Sequence, residues 1–305
     1  MELARRKLGR TAMEVTALGY GAMELRGVNW RFNGRTLAPG QAKQVLNAIL
    51  DSGINFIDTS IDYGPSEELI GEHISHRRKE YFLASKCGCI VDPAMFTPEH
   101  RMTHIFTRKN IIDGVEQSLR RMKTDYLDLL QVHNAPSRSE LERDEAAQTM
   151  LDLKRQGKVR FIGCSTMVPH AMDHLAMGVF EAFQIPYSAL QREHEAIITE
   201  AARVGAGTII RGGVARGEPG EGQGSADTWK LWERARMDEL LEGMTPTQFM
   251  LRFTLSHPGV STTIVGSLNP DHVKDNVATA AKGPLPHDVF EEAKRRLAAA
   301  GAVPK

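Results

Sequence analysis

Short apolar runs alternate with longer amphipathic ones along almost the whole chain, and this rhythm limits the fold more than any other feature. The apolar runs are ALGYGAM (17–23), INFIDT (54–59), YFLASK (81–86), YLDLLQVH (126–133), VRFIGCS (159–165), AFQIPY (182–187), TIIRGG (208–213) and STTIVGS (261–267). Helical patterns separate them at 41–53, 66–74, 109–122, 140–157, 168–178, 194–205 and 245–257, and two more follow at 270–283 and 290–301. Strands that are apolar on both faces and divided by helices imply a parallel sheet. Eight such units over 305 residues predict an α/β chain closed into a (β/α)8 TIM barrel, a single domain spanning 1–305. An open nucleotide-binding sheet would carry G-x-G-x-x-G after its first strand, and no such motif opens a helix here. RRKLGRTAMEVTA alternates weakly around Gly9-Arg10 and reads as an N-terminal β-hairpin plugging the barrel's bottom. The last pattern is an extra C-terminal helix.

Composition removes several classes of partner. Lys plus Arg balance Asp plus Glu at 38 each, which argues against a nucleic-acid binder. No stretch approaches the ~20 apolar residues that cross a membrane. MELARRKLGR has no apolar run after its charges and does not read as a signal peptide. Three cysteines cannot all pair, so a reducing, cytoplasmic setting is expected. Cys87 and Cys89 form C-G-C rather than C-x-x-C and read as small residues at a strand end, with Cys164 in a buried strand. No metal site is expected.

Barrel enzymes place their chemistry at the C-terminal ends of strands. That rule selects Asp58, Lys86 and His133 on three successive strands, with Tyr63 in the loop just after Asp58. Buried Asp and Lys are rare unless paired, and these two can pair with each other. A Lys ammonium near Tyr63 favours the phenolate and lowers the phenol's pKa. Asp58 would keep Lys86 charged, and His133 would hydrogen-bond a substrate oxygen or relay its proton. The set describes a general acid for a developing alkoxide. No Ser-His-Asp or H-E-x-x-H pattern competes, and His133 is expected to lack clustered partners for a metal site.

At these residues the chain resembles the aldo-keto reductase family. INFIDTSIDYGPSEELIG (54–71), LASKCG (83–88) and YLDLLQVHN (126–134) are similar to the segments that carry that family's aspartate and tyrosine, its lysine and its histidine. The resemblance runs from LGYGAME to GSLNPDHVKDN. It implies hydride transfer between NADP(H), or NAD(H), and a small carbonyl substrate, with Tyr63 as proton donor. It also implies carboxamide contacts from Ser165, Thr166 (in place of the family's asparagine) and Gln184. Ser267, Asn269, Asp275 and Asn276 fall in the adenosine-phosphate segment, where a helix starting near Pro270 would turn N–H groups toward phosphate.

Two positions depart from the family pattern. Arg211, followed by Gly212, stands where an aromatic residue stacks on the nicotinamide. A guanidinium can stack there, and its charge would favour the reduced cofactor. His272 stands where an arginine clamps the 2′-phosphate, a weaker grip that Lys274 or Arg216 would have to supplement. Trp30 is expected to line the substrate pocket with Tyr63 and His133. Phe32, Met95, Phe96, His104, Pro136 and Arg138 lie in neighbouring loops. Trp229 and Trp232 recur at helical spacing and read as a packing face. RGEPGEGQGSAD (216–227) reads as a mobile loop that closes over a ligand. Two other functions fit parts of the pattern: a nicotinamide sensor without turnover, or a Schiff-base aldolase using a neutral Lys86.

Overall fold

The computed structural model describes residues 2–29, 31, 34–220 and 224–305. Two short strands, β1 (Arg5–Lys7) and β2 (Glu14–Thr16), pair antiparallel as a hairpin. Eight more form a closed parallel barrel: β3 (Leu18–Gly21), β4 (Phe56–Asp58), β5 (Phe82–Cys87), β6 (Leu127–Val132), β7 (Val159–Ser165), β8 (Ala182–Pro186), β9 (Gly207–Arg211) and β10 (Thr262–Val265). Each pairs with the next in sequence, and β10 closes on β3. The (β/α)8 expectation holds, and the strand positions agree with the apolar runs to within two or three residues.

The outer layer begins with α1 (Gln41–Asp51), α2 (Ser66–His73) and α3 (Arg108–Met122). It continues through α4 (Arg138–Arg143), α5 (Ala146–Arg155), α6 (Ala171–Ala176) and α7 (Glu195–Arg203). α8 (Ala226–Arg234), α9 (Pro246–Ser256), α10 (Pro270–Ala281) and α11 (His287–Ala299) complete it. Local chemistry sets several ends. Thr245 and Gln248 form a reciprocal capping box at α9, with Pro246 at the first helical position. Asn269 caps α10 by accepting from the Asp271 N–H, again with proline next. The helix expected over 140–157 is two helices, because Glu145 takes a left-handed conformation (φ 52°) between α4 and α5. Trp229 and Trp232 do pack from α8, with ring centroids 5.5 Å apart and Trp232 edge-on to Phe249.

Two apolar layers follow from the strand alternation. Outward side chains such as Ile57, Leu83, Leu130 and Ile162 meet the helices in the larger core. Inward side chains Phe56, Ala84, Leu129, Ala182, Ile209 and Ile264 fill the lower barrel together with Leu8, Met13 and Val15 from the hairpin segment. The plug is therefore real, and hydrogen bonds to the barrel's lower loops hold it. The Arg10 N–H donates to the Gly205 carbonyl at 2.8 Å, and Arg6 Nη1 donates to the Val260 carbonyl at 2.7 Å. Gly207 permits this approach, since a Cβ there would lie 2.6 Å from Leu8 Cγ and 2.8 Å from its carbonyl carbon. With the lower end filled by hydrocarbon, the polar inward positions are left to the upper end.

Candidate active site

Above the apolar layer the inward positions turn polar. Asp58 ends β4, Lys86 is the penultimate residue of β5, Gln131 sits late on β6 and Gln184 on β8, all at most 2% exposed. Lys86 Nζ donates to Asp58 Oδ1 at 2.5 Å and to the Thr59 carbonyl at 2.8 Å. Asp58 Oδ2 accepts from Gln131 Nε2 at 2.7 Å and from Gln184 Nε2 at 2.9 Å. Both carboxylate oxygens are thus satisfied inside the barrel, as a buried charge requires. Gln131 carries no charge, so the strand-end rule does not select it. Its signal was a lone amide within the otherwise apolar LDLLQV, at a position pairing with Lys86 on β5.

Tyr63 hangs over this carboxylate from the loop between β4 and α2, where its N–H donates to the Ser60 carbonyl at 3.0 Å. Lys86 Nζ lies 5.0 Å from the Tyr63 ring centroid, and the Tyr63 and His133 rings meet edge-on at 6.1 Å. The four expected side chains therefore converge. Burial raises the pKa of the Tyr63 hydroxyl, and the charges of Lys86 and Arg211 pull it back only in part, with Asp58 opposing them. The net direction is upward, which corrects the expectation of a lowered tyrosine: desolvation outweighs the ammonium. Burial also opposes charge on Lys86, yet Asp58 and Tyr63 overcome it and raise its pKa. Lys86 stays an ammonium, so the aldolase reading loses the neutral amine it needs. Burial holds His133 down at about 4 despite Asp62 nearby, so its ring is neutral at pH 7.

His133 has close neighbours that sequence spacing hides. Its Nδ1 lies 3.2 Å from Cys89 Sγ, 3.3 Å from Ser60 Oγ, 3.4 Å from His104 Nε2 and 3.4 Å from Asp62 Oδ2. His104 Nε2 is itself 3.2 Å from Asp62 Oδ2, and Asp62 Oδ1 pairs with buried Arg31 at 3.1 Å. The expectation that His133 lacks clustered ligating partners is wrong. Asp62, Cys89 and His104 arrive on three separate stretches that only the barrel's closure brings together. Gly88 makes the C-G-C turn possible: its φ is +90°, and a Cβ there would lie 2.2 Å from the Phe106 ring. Cys89 is consequently aimed at His133 rather than into the helical layer, where Cys87 lies.

The family whose model describes aldo/keto reductases matches residues 17–297. The chain belongs to the aldo/keto reductase family. An uncharacterized oxidoreductase of Bacillus subtilis (YqkF) is 24% identical over 91% of this chain and 91% of its own length. The aldo-keto reductase YhdN of the same organism is 31% identical over 68% of this chain and 61% of its own length. Among solved structures, the holo form of aldo-keto reductase AKR11C1 from Bacillus halodurans superposes with a TM-score of 0.83 at 25% identity. That match covers 100% of this chain and 98% of the other. This aldo-keto reductase is an NAD(P)H-dependent oxidoreductase.

The rim of the reductase offers groups that fit a nicotinamide cofactor. A carboxamide needs one acceptor and one donor. Gln184 Oε1 and the Ser165 hydroxyl are one acceptor and one donor on this rim, and their mutual contact is a long 3.4 Å. Thr166 is more constrained. His174 Nε2 faces the Pro136 carbonyl at 2.7 Å and so carries the hydrogen, which leaves Nδ1 to accept from the Thr166 hydroxyl, also at 2.7 Å. Thr166 Oγ1 can then accept from a carboxamide but not donate to it. Arg211 ends β9, with Nη2 3.8 Å from Met167 Sδ and no ion pair among the described residues. Gly212 follows it, exposed and at φ +73°.

At the far end, Ser267 Oγ accepts from the Asn269 N–H at 3.0 Å while Asn269 caps α10. His272 is exposed on the first turn, and Asn276 is half-buried beside Val273. Asp275 accepts from Gln248 at 2.9 Å, and Lys274 pairs with Asp271 at 3.0 Å. Trp30 and Phe32 fall outside the described residues, as does part of the 216–227 loop. No helix among the described residues is long and apolar enough to cross a membrane.

Proposed function

We propose that the protein reduces aldehydes or ketones with NADP(H), and that Tyr63 is the general acid. The carrying observation is the buried Asp58–Lys86 pair beneath Tyr63, whose hydroxyl is raised in pKa and so keeps its proton until a stronger base appears. The bound cofactor supplies a hydride. The chain's own residues handle the oxygen. Tyr63 gives its proton to the alkoxide, Lys86 stabilises the phenolate left behind, and Asp58 holds Lys86 charged. Neutral His133 keeps Nε2 for a hydrogen bond to the carbonyl oxygen, since its contacts to Ser60, Cys89, His104 and Asp62 all run through Nδ1. Ser165, Thr166 and Gln184 orient the carboxamide. Ser267, Asn269, His272, Asp275 and Asn276 face the adenosine end. Trp30 is proposed for the substrate pocket on sequence grounds, and 216–227 as the covering loop.

The function test is NADPH oxidation with a panel of aldehydes and ketones. Turnover with at least one supports the reading, and tight cofactor binding with none would identify a sensor. NADH oxidation belongs in the same assay, because the Lys274–Asp271 pair removes one cation from the 2′-phosphate and favours NAD(H) as a second reading. The three buried free thiols fit a reducing compartment, and we place the protein in the cytoplasm. We propose no nucleic-acid or membrane partner.

Arg211 adds a prediction. A guanidinium with no ion pair among the described residues, set beside a nicotinamide, repels the oxidised, cationic ring. Arg211→Tyr is expected to narrow the ratio of NADP+ to NADPH dissociation constants by about tenfold, about 1.4 kcal/mol. Fluorescence titration with both forms reads the ratio, and an unchanged ratio removes Arg211 from redox tuning.

A further inference from the structure

We propose that Asp62, Cys89, His104 and His133 form a four-coordinate site for a zinc-class divalent metal, set behind His133. One thiolate, two imidazoles and one carboxylate are the donors such ions take. The four ligand atoms lie within 4.8 Å of one another. Four of their six separations are Sγ–Nδ1 3.2 Å, Nε2–Nδ1 3.4 Å, Nε2–Oδ2 3.2 Å and Nδ1–Oδ2 3.4 Å. Bonds of about 2.0–2.3 Å at tetrahedral angles put ligand atoms roughly 3.3–3.8 Å apart. Four of the six separations are already near that spacing and the other two lie within 4.8 Å, so a metal would need the Cys89 sulfur to move closer to Asp62 and His104.

A hydrogen-bond network explains the same atoms less well. The His133 Nδ1 has one in-plane lone pair or one hydrogen, yet four polar atoms crowd it at 3.2–3.4 Å. Asp62 Oδ2 is buried and, among the described residues, receives no hydrogen bond of acceptable geometry, although two ring nitrogens stand within 3.4 Å. His104 and His133 meet nitrogen to nitrogen with their rings at 89°. Lone pairs converging on one point account for all three observations. Arg31 holds the other carboxylate oxygen, Oδ1, and so leaves Oδ2 for a metal.

Binding forms a metal–sulfur bond and releases the Cys89 thiol proton to solvent. Both imidazoles bind as neutral ligands and Asp62 as a carboxylate. Four protein ligands fill the sphere, so the ion has no open position for substrate and acts structurally. Its effect on chemistry runs through His133. Coordination at Nδ1 leaves the hydrogen on Nε2, which makes the ring a fixed donor toward the carbonyl oxygen. That last step rests on the reductase reading, whereas metal binding does not.

The test uses the full chain, stripped with chelator and titrated with zinc and, separately, cobalt(II). One equivalent of zinc retained after gel filtration is expected. Cobalt should give the intense visible bands of a four-coordinate ion and a sulfur-to-metal charge-transfer band. Cys89→Ser should lose that band, and His104→Ala should weaken zinc binding at least tenfold. Cys164→Ser, a thiol outside the cluster, should change neither. Melting curves in chelator check that the variants fold, and the wild-type cobalt spectrum decides the donor set even if one does not. Substoichiometric zinc, a six-coordinate cobalt spectrum, or a thiolate band surviving Cys89→Ser would overturn the site. Aldehyde reduction on the same stripped preparation reports on the reductase reading separately.

Discussion

Tyr63→Phe is expected to lower kcat for carbonyl reduction by about 10²–10⁴-fold while changing NADPH affinity less than twofold. The substitution removes one oxygen and leaves the ring, so the edge-on contact with His133 and the packing over Lys86 persist. What disappears is the hydroxyl of the ring that stands 5.0 Å from the buried ammonium. Water cannot replace it efficiently, because Asp58, Lys86 and Gln131 below it are essentially closed to solvent. Stopped-flow measurement of NADPH oxidation in a single turnover separates the chemical step from product release. A variant with full single-turnover rate would mean that His133 or a solvent molecule donates the proton. The stability of Tyr63→Phe should change little, since phenylalanine keeps the ring packing and has no buried hydroxyl to desolvate.

The two halves of this site were unequally readable. Asp58, Lys86 and His133 could be located because parallel barrel strands bury both faces, so a charge at a strand end has no structural excuse. Gln131 obeys the same rule, yet an amide in a strand is less anomalous than a charge and does not stand out. The Asp62 cluster was out of reach for another reason. Its members are separated by tens of residues and sit in loops, where local pattern carries no information about which side chains meet. Glu145 shows the same limit at the level of a helix: LERDEAAQTM is helical by periodicity, and the break falls at a left-handed glutamate with no glycine or proline to mark it. The direction of the Tyr63 shift also needed three dimensions. The sequence reveals the lysine that lowers it but not the desolvation that raises it further.

Lys86→Met should carry two large effects that a second substitution can pull apart. The first is on stability. Asp58 loses its partner at 2.5 Å and becomes a buried, uncompensated carboxylate, a change that costs about 3–5 kcal/mol in comparable sites. Gln131 and Gln184 still donate to Oδ2, so the loss should fall toward the lower end of that range. The second effect is on catalysis. Lys86 supplies the largest pull against the burial of Tyr63, so without it the phenol becomes a weaker acid, and kcat should fall by at least about 10²-fold. The double variant Lys86→Met with Asp58→Asn removes the unpaired charge but returns no ammonium. Urea denaturation should show most of the lost stability restored, while NADPH oxidation stays as slow as in the single variant. Recovery of both together would mean that Lys86 matters only because it keeps the barrel folded around Asp58. Recovery of stability alone would assign the ammonium to Tyr63, the role proposed for it from its 5.0 Å distance to the ring and its burial near the end of β5.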